Sequence, residues 1–150
     1  MSYNNIEISN FTLNDFNSIQ NIIISDFDDF WNITTFIEEL NDKNSYYIMA
    51  KINDEIVGFA GIKIVFDEAD IMNIVTKKNM RNLGIGFCLL KNLIYIAKEK
   101  GINKITLEVN EKNINAIHLY EKAGFKKIAV RKKYYNNIDD ALIMQLMSIF

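Results

Sequence analysis

Two periods of apolar residues alternate along this chain. Ile6, Ile8 and Phe11 sit at strand spacing, and Phe16, Ile19, Ile22 and Ile23 follow at helical spacing. Between them Thr12-Leu13-Asn14-Asp15 reads as a helix start, with Thr12 as N-cap and an acid three residues on. Residues 35–40 predict a second helix, opened by a Thr35/Glu38 capping box. Residues 46–52 and 56–65 are rich in β-branched and aromatic side chains, and Asn53-Asp54-Glu55 between them predicts a hairpin. Residues 69–75 form another extended run. From Ile85 a stripe of Leu89, Leu90, Leu93, Ile94 and Ala97 predicts a helix to about Lys100, stopped by Gly101. Residues 102–109 are extended, residues 113–123 helical up to Gly124, and residues 126–134 and 141–147 read as an antiparallel pair around Asn136-Asn137. Two helices follow strands in β-α-β order, which predicts an α/β fold: a partly parallel sheet with antiparallel ends and helices on both faces.

The junction at residues 81–86, Arg-Asn-Leu-Gly-Ile-Gly, joins an extended run to the longest predicted helix. The first N–H groups of a helix have no partner within it, and the helix dipole adds partial positive charge there. Gly84 and Gly86 remove the Cβ atoms that would keep a bulky anion away, so a phosphate or pyrophosphate is the natural guest. Phe87-Cys88 after the second glycine excludes a P-loop, and Leu89 stands where a dinucleotide fingerprint needs a third glycine. Taken alone, the hexapeptide is equally compatible with an ordinary helix start.

Composition narrows the class. The chain has 150 residues, about one domain's worth, and no repeat or linker divides it, so residues 1–150 read as a single domain. A net charge of −2 offers no general attraction to nucleic acid or to an anionic membrane. One cysteine permits no internal disulfide, and one histidine leaves little for a metal site, so no metal is expected. No apolar run reaches the roughly 18 residues of a membrane span, and the N-terminus lacks a signal pattern, which together predict a cytoplasmic protein.

Five segments in order resemble one family. Arg81 to Gly86 is similar to the acetyl-CoA loop of the GNAT superfamily of N-acetyltransferases. Leu107-Glu108-Val109, Asn113 and the run from Ala116 to Phe125 resemble its second half. Arg131-Lys132-Lys133-Tyr134-Tyr135 and the run from Asp139 to Met144 resemble the branch of ribosomal-protein-alanine N-acetyltransferases. The resemblance covers about residues 45–147. It implies a GNAT fold, a single mixed sheet of about seven strands flanked by helices on both faces, with acetyl-CoA as co-substrate. It also implies direct attack by an acceptor amine in a ternary complex, the acceptor being the N-terminal alanine of a small-subunit ribosomal protein.

The same resemblance distributes roles. Ile74, Val75 and Thr76 would contact acetyl and pantetheine through the main chain, Arg81 would belong to the coenzyme-binding motif, and Asn82, Leu83, Gly84, Ile85, Gly86 and Phe87 would hold the pyrophosphate through backbone N–H groups. Asn113 matches a coenzyme-bonding position, and a plain helix cap explains it equally well. Glu108 matches the general base, an expectation helped if partial burial raises its pKa; the rival is a solvated strand glutamate. Tyr120 matches the proton donor to the departing sulfur, against a core-filling tyrosine beside Phe125. Cys88 reads as a helix packer rather than an acyl carrier, and His118 should project away from Tyr120. The acids Glu38, Glu39, Asp139 and Asp140 are candidates to attract a basic protein N-terminus. A small amine or lysine side chain as acceptor, or a non-catalytic acyl-CoA-binding module, are the alternatives.

Overall fold

The computed structural model describes residues 5–27 and 32–147. Strands β1 (Glu7–Asn10), β2 (Ser45–Ile52), β3 (Glu55–Val65), β4 (Glu68–Thr76), β5 (Lys104–Asn110), β6 (Lys126–Tyr135) and β7 (Asp139–Met147) form one seven-stranded sheet in the order β1-β2-β3-β4-β5-β7-β6. Helices α1 (Leu13–Ile19) and α2 (Ile33–Asn41) lie before β2, α3 (Ile85–Glu99) joins β4 to β5, and α4 (Ile114–Lys122) follows β5. The seven strands and the helices on both faces agree with the sequence reading. The parallel portion is confined to β4 and β5, because β7 inserts between β5 and β6 and pairs antiparallel with both.

Local chemistry sets most boundaries. Thr12 caps α1 reciprocally with Asp15, as the capping box requires. The second helix starts earlier than expected: Asn32, not Thr35, is its cap, and the Asn32 Oδ1 accepts the Thr35 N–H at 3.1 Å. The helical spacing after Phe16 is carried past α1 by a 3-10 turn, Gln20–Ile22, and a π turn, Ile23–Phe27. Asn53 and Asp54 both take positive φ and close the β2–β3 hairpin, the conformation for which such residues are favoured.

The sheet carries two apolar layers. Leu89, Leu90 and Leu93 of α3, with Tyr120 and Phe125, cover one face against Ile105, Leu107 and Val109. Phe16, Ile23, Phe27 and Phe36 cover the other against Tyr47, Phe59 and Val75. In that second layer a Cβ at Gly61 would fall 2.3 Å from the Tyr47 ring, whose hydroxyl accepts the Asn73 side-chain amide at 3.1 Å. Gly61→Ala is therefore expected to destabilise the protein by about 3 kcal/mol through overpacking. Urea denaturation checks it, and the cost should shrink in a Tyr47→Leu background.

One irregularity prepares the site. Gly61 pairs with Asn73 but Ile62 pairs with Ile71, so Met72 is an extra residue in β4. A bulge increases local twist and bends its strand. Pairing between β4 and β5 is limited to Ala69 with Ile105 and Asp70 with Thr106. Past that point the two strands run on unpaired with each other, and the sheet forks. Among the described residues no helix is long and apolar enough to cross a membrane, and no group of three or more His, Cys, Asp or Glu could hold a metal ion.

Candidate active site

The open end of the fork holds a cavity of about 520 Å³. Its walls are the end of β4 (Ile74, Val75, Thr76), the glycine loop with the first turn of α3, and the start of α4, with Tyr120 behind. Of the residues expected to hold the coenzyme, Ile74, Val75, Thr76, Arg81, Asn82, Gly84, Ile85, Gly86, Phe87 and Asn113 all line it. Leu83 does not, and is half-buried in the loop. The cavity also takes Met80, Asn115, Leu119 and Lys122, which the sequence reading did not single out.

The helix starts differ in a way that matters chemically. Side chains of Thr12, Asn32 and Asn113 cap α1, α2 and α4, whereas α3 begins at Gly84 with no side-chain cap. The first helical bond of α3 runs from the Cys88 N–H to the Gly84 carbonyl at 3.0 Å. The N–H groups before it are therefore left for a guest from outside the helix. Gly84 sits at φ 88°, a left-handed conformation that favours glycine, and Asn82 also has positive φ. A Cβ at Gly86 would meet only Leu119 and Thr76 side-chain atoms, at 3.6 and 3.7 Å. Glycine at 86 thus answers to space for a ligand rather than to a backbone need. Such a cradle fits a pyrophosphate.

Asn113 is a cap: its Oδ1 accepts the Ala116 N–H at 3.2 Å, which leaves the side-chain NH₂ as a donor toward the cavity. Tyr120 is 9% exposed, with its ring 5.9 Å from that of Phe125. Burial, and then the nearby Tyr135, push its hydroxyl pKa up to about 12. His118 is exposed while Tyr120 is buried, so the two do project differently.

Glu108 lies on the other face of β5, since Leu107 and Val109 point into the α3–α4 layer. It is only partly covered. Its side chain is 34% exposed, and its Oε1 pairs with the Arg131 Nη2 at 3.2 Å. Strand pairing explains the meeting, because Glu108 stands opposite Ile143 and Arg131 opposite Ala141, two residues apart on β7. The Arg131 guanidinium also lies 4.6 Å from the Tyr134 ring centre, and Tyr134 meets Tyr135 edge-on at 5.1 Å. Burial, and then the charge of Glu108, raise the Tyr135 hydroxyl pKa. Arg131 had no visible signal as a site residue in the sequence, because only the insertion of β7 brings it to Glu108.

Two further readings are decided by contacts. Burial raises the Cys88 thiol pKa, the opposite of what an acyl carrier needs, and its Sγ faces the Asn92 amide at 3.8 Å. Asp139 and Asp140 are taken by the chain's own cations, Lys112 at 2.8 Å and Lys132 at 3.3 Å. Each is thereby partly neutralised in place.

Known proteins share this fold. The family described as the acetyltransferase (GNAT) family matches residues 16–125. The ribosomal protein bS18-alanine N-acetyltransferase of Escherichia coli K12 is 33% identical over 119 residues, covering 77% of this chain and 80% of its own. The crystal structure of the Escherichia coli ribosomal-protein-S18-alanine N-acetyltransferase superposes with a TM-score of 0.86 at 29% identity, covering 95% and 94% of the two chains. A GNAT family acetyltransferase from Elizabethkingia anophelis with acetyl-CoA bound shares the fold, with a TM-score of 0.79 at 24% identity over 97% and 99% of the chains. With a forked sheet, an uncapped glycine turn and this family match over most of its length, the chain belongs to the GNAT acetyltransferase family and is an acetyl-CoA-dependent N-acetyltransferase.

Proposed function

We propose that the protein, as one GNAT domain over residues 1–150, moves acetyl from acetyl-CoA to the N-terminal α-amine of a protein in the cytoplasm. The acceptor in this reading is the N-terminal alanine of a small-subunit ribosomal protein; the Escherichia coli relative is named for alanine of ribosomal protein bS18. The observation that carries it is the uncapped first turn of α3, set in the same cavity as Tyr120 at the mouth of the β4–β5 fork. Pyrophosphate on that turn leaves the pantetheine arm to run along Thr76, Val75 and Ile74 as an added strand. Glu108 and Arg131 then face the arm's end from the α1–α2 side of the sheet.

The amine attacks directly. The new N–C bond forms as the C–S bond breaks, the ammonium proton passes to Glu108 directly or through one water, and the sulfur leaves as thiolate or thiol. A free α-amine has a pKa of about 7.7–8.0, so a modest base suffices.

Tyr120 acts as a hydrogen-bond donor to the sulfur. Passing a proton from a hydroxyl near pKa 12 to a thiolate near 8.5 is uphill by about 5 kcal/mol. The raised value means that the proton stays on Tyr120 through pH 10 and is lost only toward 12. The rate–pH profile should accordingly show no descending limb centred near pH 10. Tyr120→Phe should slow the chemical step roughly 10²-fold, as single-turnover kinetics would show.

The aromatic pair Tyr134–Tyr135 stands beside Glu108 and Arg131, where it can flank two or three extended residues of a peptide. An Ala-initiated peptide with a basic second residue is expected to be acetylated on its α-nitrogen, with free lysine and polyamines as poor acceptors. Mass spectrometry of the products decides it. Efficient turnover of polyamines without reaction of the peptide would transfer the assignment to small amines.

A further inference from the structure

Arg81 lines the coenzyme cavity, yet two of its donors turn to carbonyl groups of the protein itself. Its Nη2 donates to the Phe27 carbonyl at 3.0 Å, and its Nε donates to the Thr76 carbonyl at 3.4 Å. The two acceptors belong to different parts of the site. Thr76 ends β4, the strand assigned to the acetyl and pantetheine arm. Phe27 ends the π turn Ile23–Phe27 in the α1–α2 layer, on the face that presents Glu108.

Phe27 O is a natural target for a cation. The last carbonyls of a helix find no donor within it, and the helix dipole places partial negative charge there. A guanidinium satisfies both needs, and its planar fork can hold two carbonyls at a set separation where an ammonium cannot. The π turn also touches the 3-10 turn Lys78–Met80 just before Arg81. The Phe27 ring is fully buried 5.8 Å from that of Phe59, in one cluster with Val75. A shift of the glycine loop on binding a pyrophosphate would therefore reach the π turn through the Arg81 hydrogen bonds as well as through these packing contacts.

We infer that Arg81 is a positioning residue that couples the coenzyme loop to the π turn of the acceptor-side layer, so that coenzyme binding orders the wall against which the acceptor docks. This rests on the coenzyme-loop reading above. It differs from that reading in giving the Arg81 side chain to the protein rather than to the pyrophosphate.

Hydrogen–deuterium exchange on the full chain, with CoA as the probe, tests it in wild type, Arg81→Met and Arg81→Lys. In wild type, CoA should slow exchange in residues 83–89 and, through Arg81, about tenfold in residues 20–27. Both variants should keep the first effect and lose the second. In steady state, KM for the acceptor peptide should rise about tenfold while KM for acetyl-CoA stays within about threefold. Slowing of residues 20–27 that persists in both variants, or a rise confined to the acetyl-CoA KM, overturns the coupling and returns Arg81 to the pyrophosphate. No slowing at residues 83–89 in wild type sinks the coenzyme-loop reading itself, and the inference with it.

Discussion

Gly86→Val should weaken acetyl-CoA binding by roughly 10²-fold or more while leaving the fold intact, because it blocks at least two charge-assisted hydrogen bonds without touching the core. The position allows this separation. Gly86 has no need of positive φ, and the space beside it opens on Leu119 and Thr76 at ordinary contact distance. Valine is also the better helix former, so α3 should not suffer. Titration calorimetry on a variant with an unchanged melting temperature reads the effect, and Gly86→Ala should fall between the two. Unchanged affinity in the folded valine variant would mean that the glycine merely opens a helix. Gly84 is a poorer probe, since its φ of 88° would add backbone strain to any loss of binding.

Glu108→Gln should lower kcat by about 10²-fold or more near neutral pH, with partial recovery as the pH rises and the amine deprotonates unaided. Acetyl-CoA affinity should hardly change, because Glu108 does not line the coenzyme cavity. Stability should change little as well. The pair with Arg131 is partly exposed on both sides, and such ion pairs contribute at most about 1 kcal/mol. A fall in rate with constant affinity and constant stability separates a lost base from a damaged fold. A wild-type rate in Glu108→Gln would refute the assignment.

Most of the elements were legible in the sequence because their causes are local. Thr12 and Asp15 make a capping box whoever their neighbours are, Gly101 and Gly124 end helices through positive φ, and Asn53-Asp54 turns a hairpin. The glycine cradle was legible for the same reason: strand, turn and helix start are contiguous, and an anion site at a helix N-terminus needs no distant partner. Asn32 was missed as the cap of α2 because Thr35 and Glu38 offered an equally good local signal one turn later.

What tertiary structure alone decided concerns groups far apart in the chain. The order β5-β7-β6 brings Arg131 to Glu108. It also brings Lys112 to Asp139. The fork between β4 and β5 depends on a bulge at Met72, which no periodicity announces. The link from Arg81 to Phe27 spans 54 positions. Elements and cradle could be read from short-range propensity and spacing, and the family from motifs that resemble it. Sheet order, charge pairing and the fork arise from long-range packing, where a side chain's partner is set by which strand lies beside it and not by its neighbours along the chain.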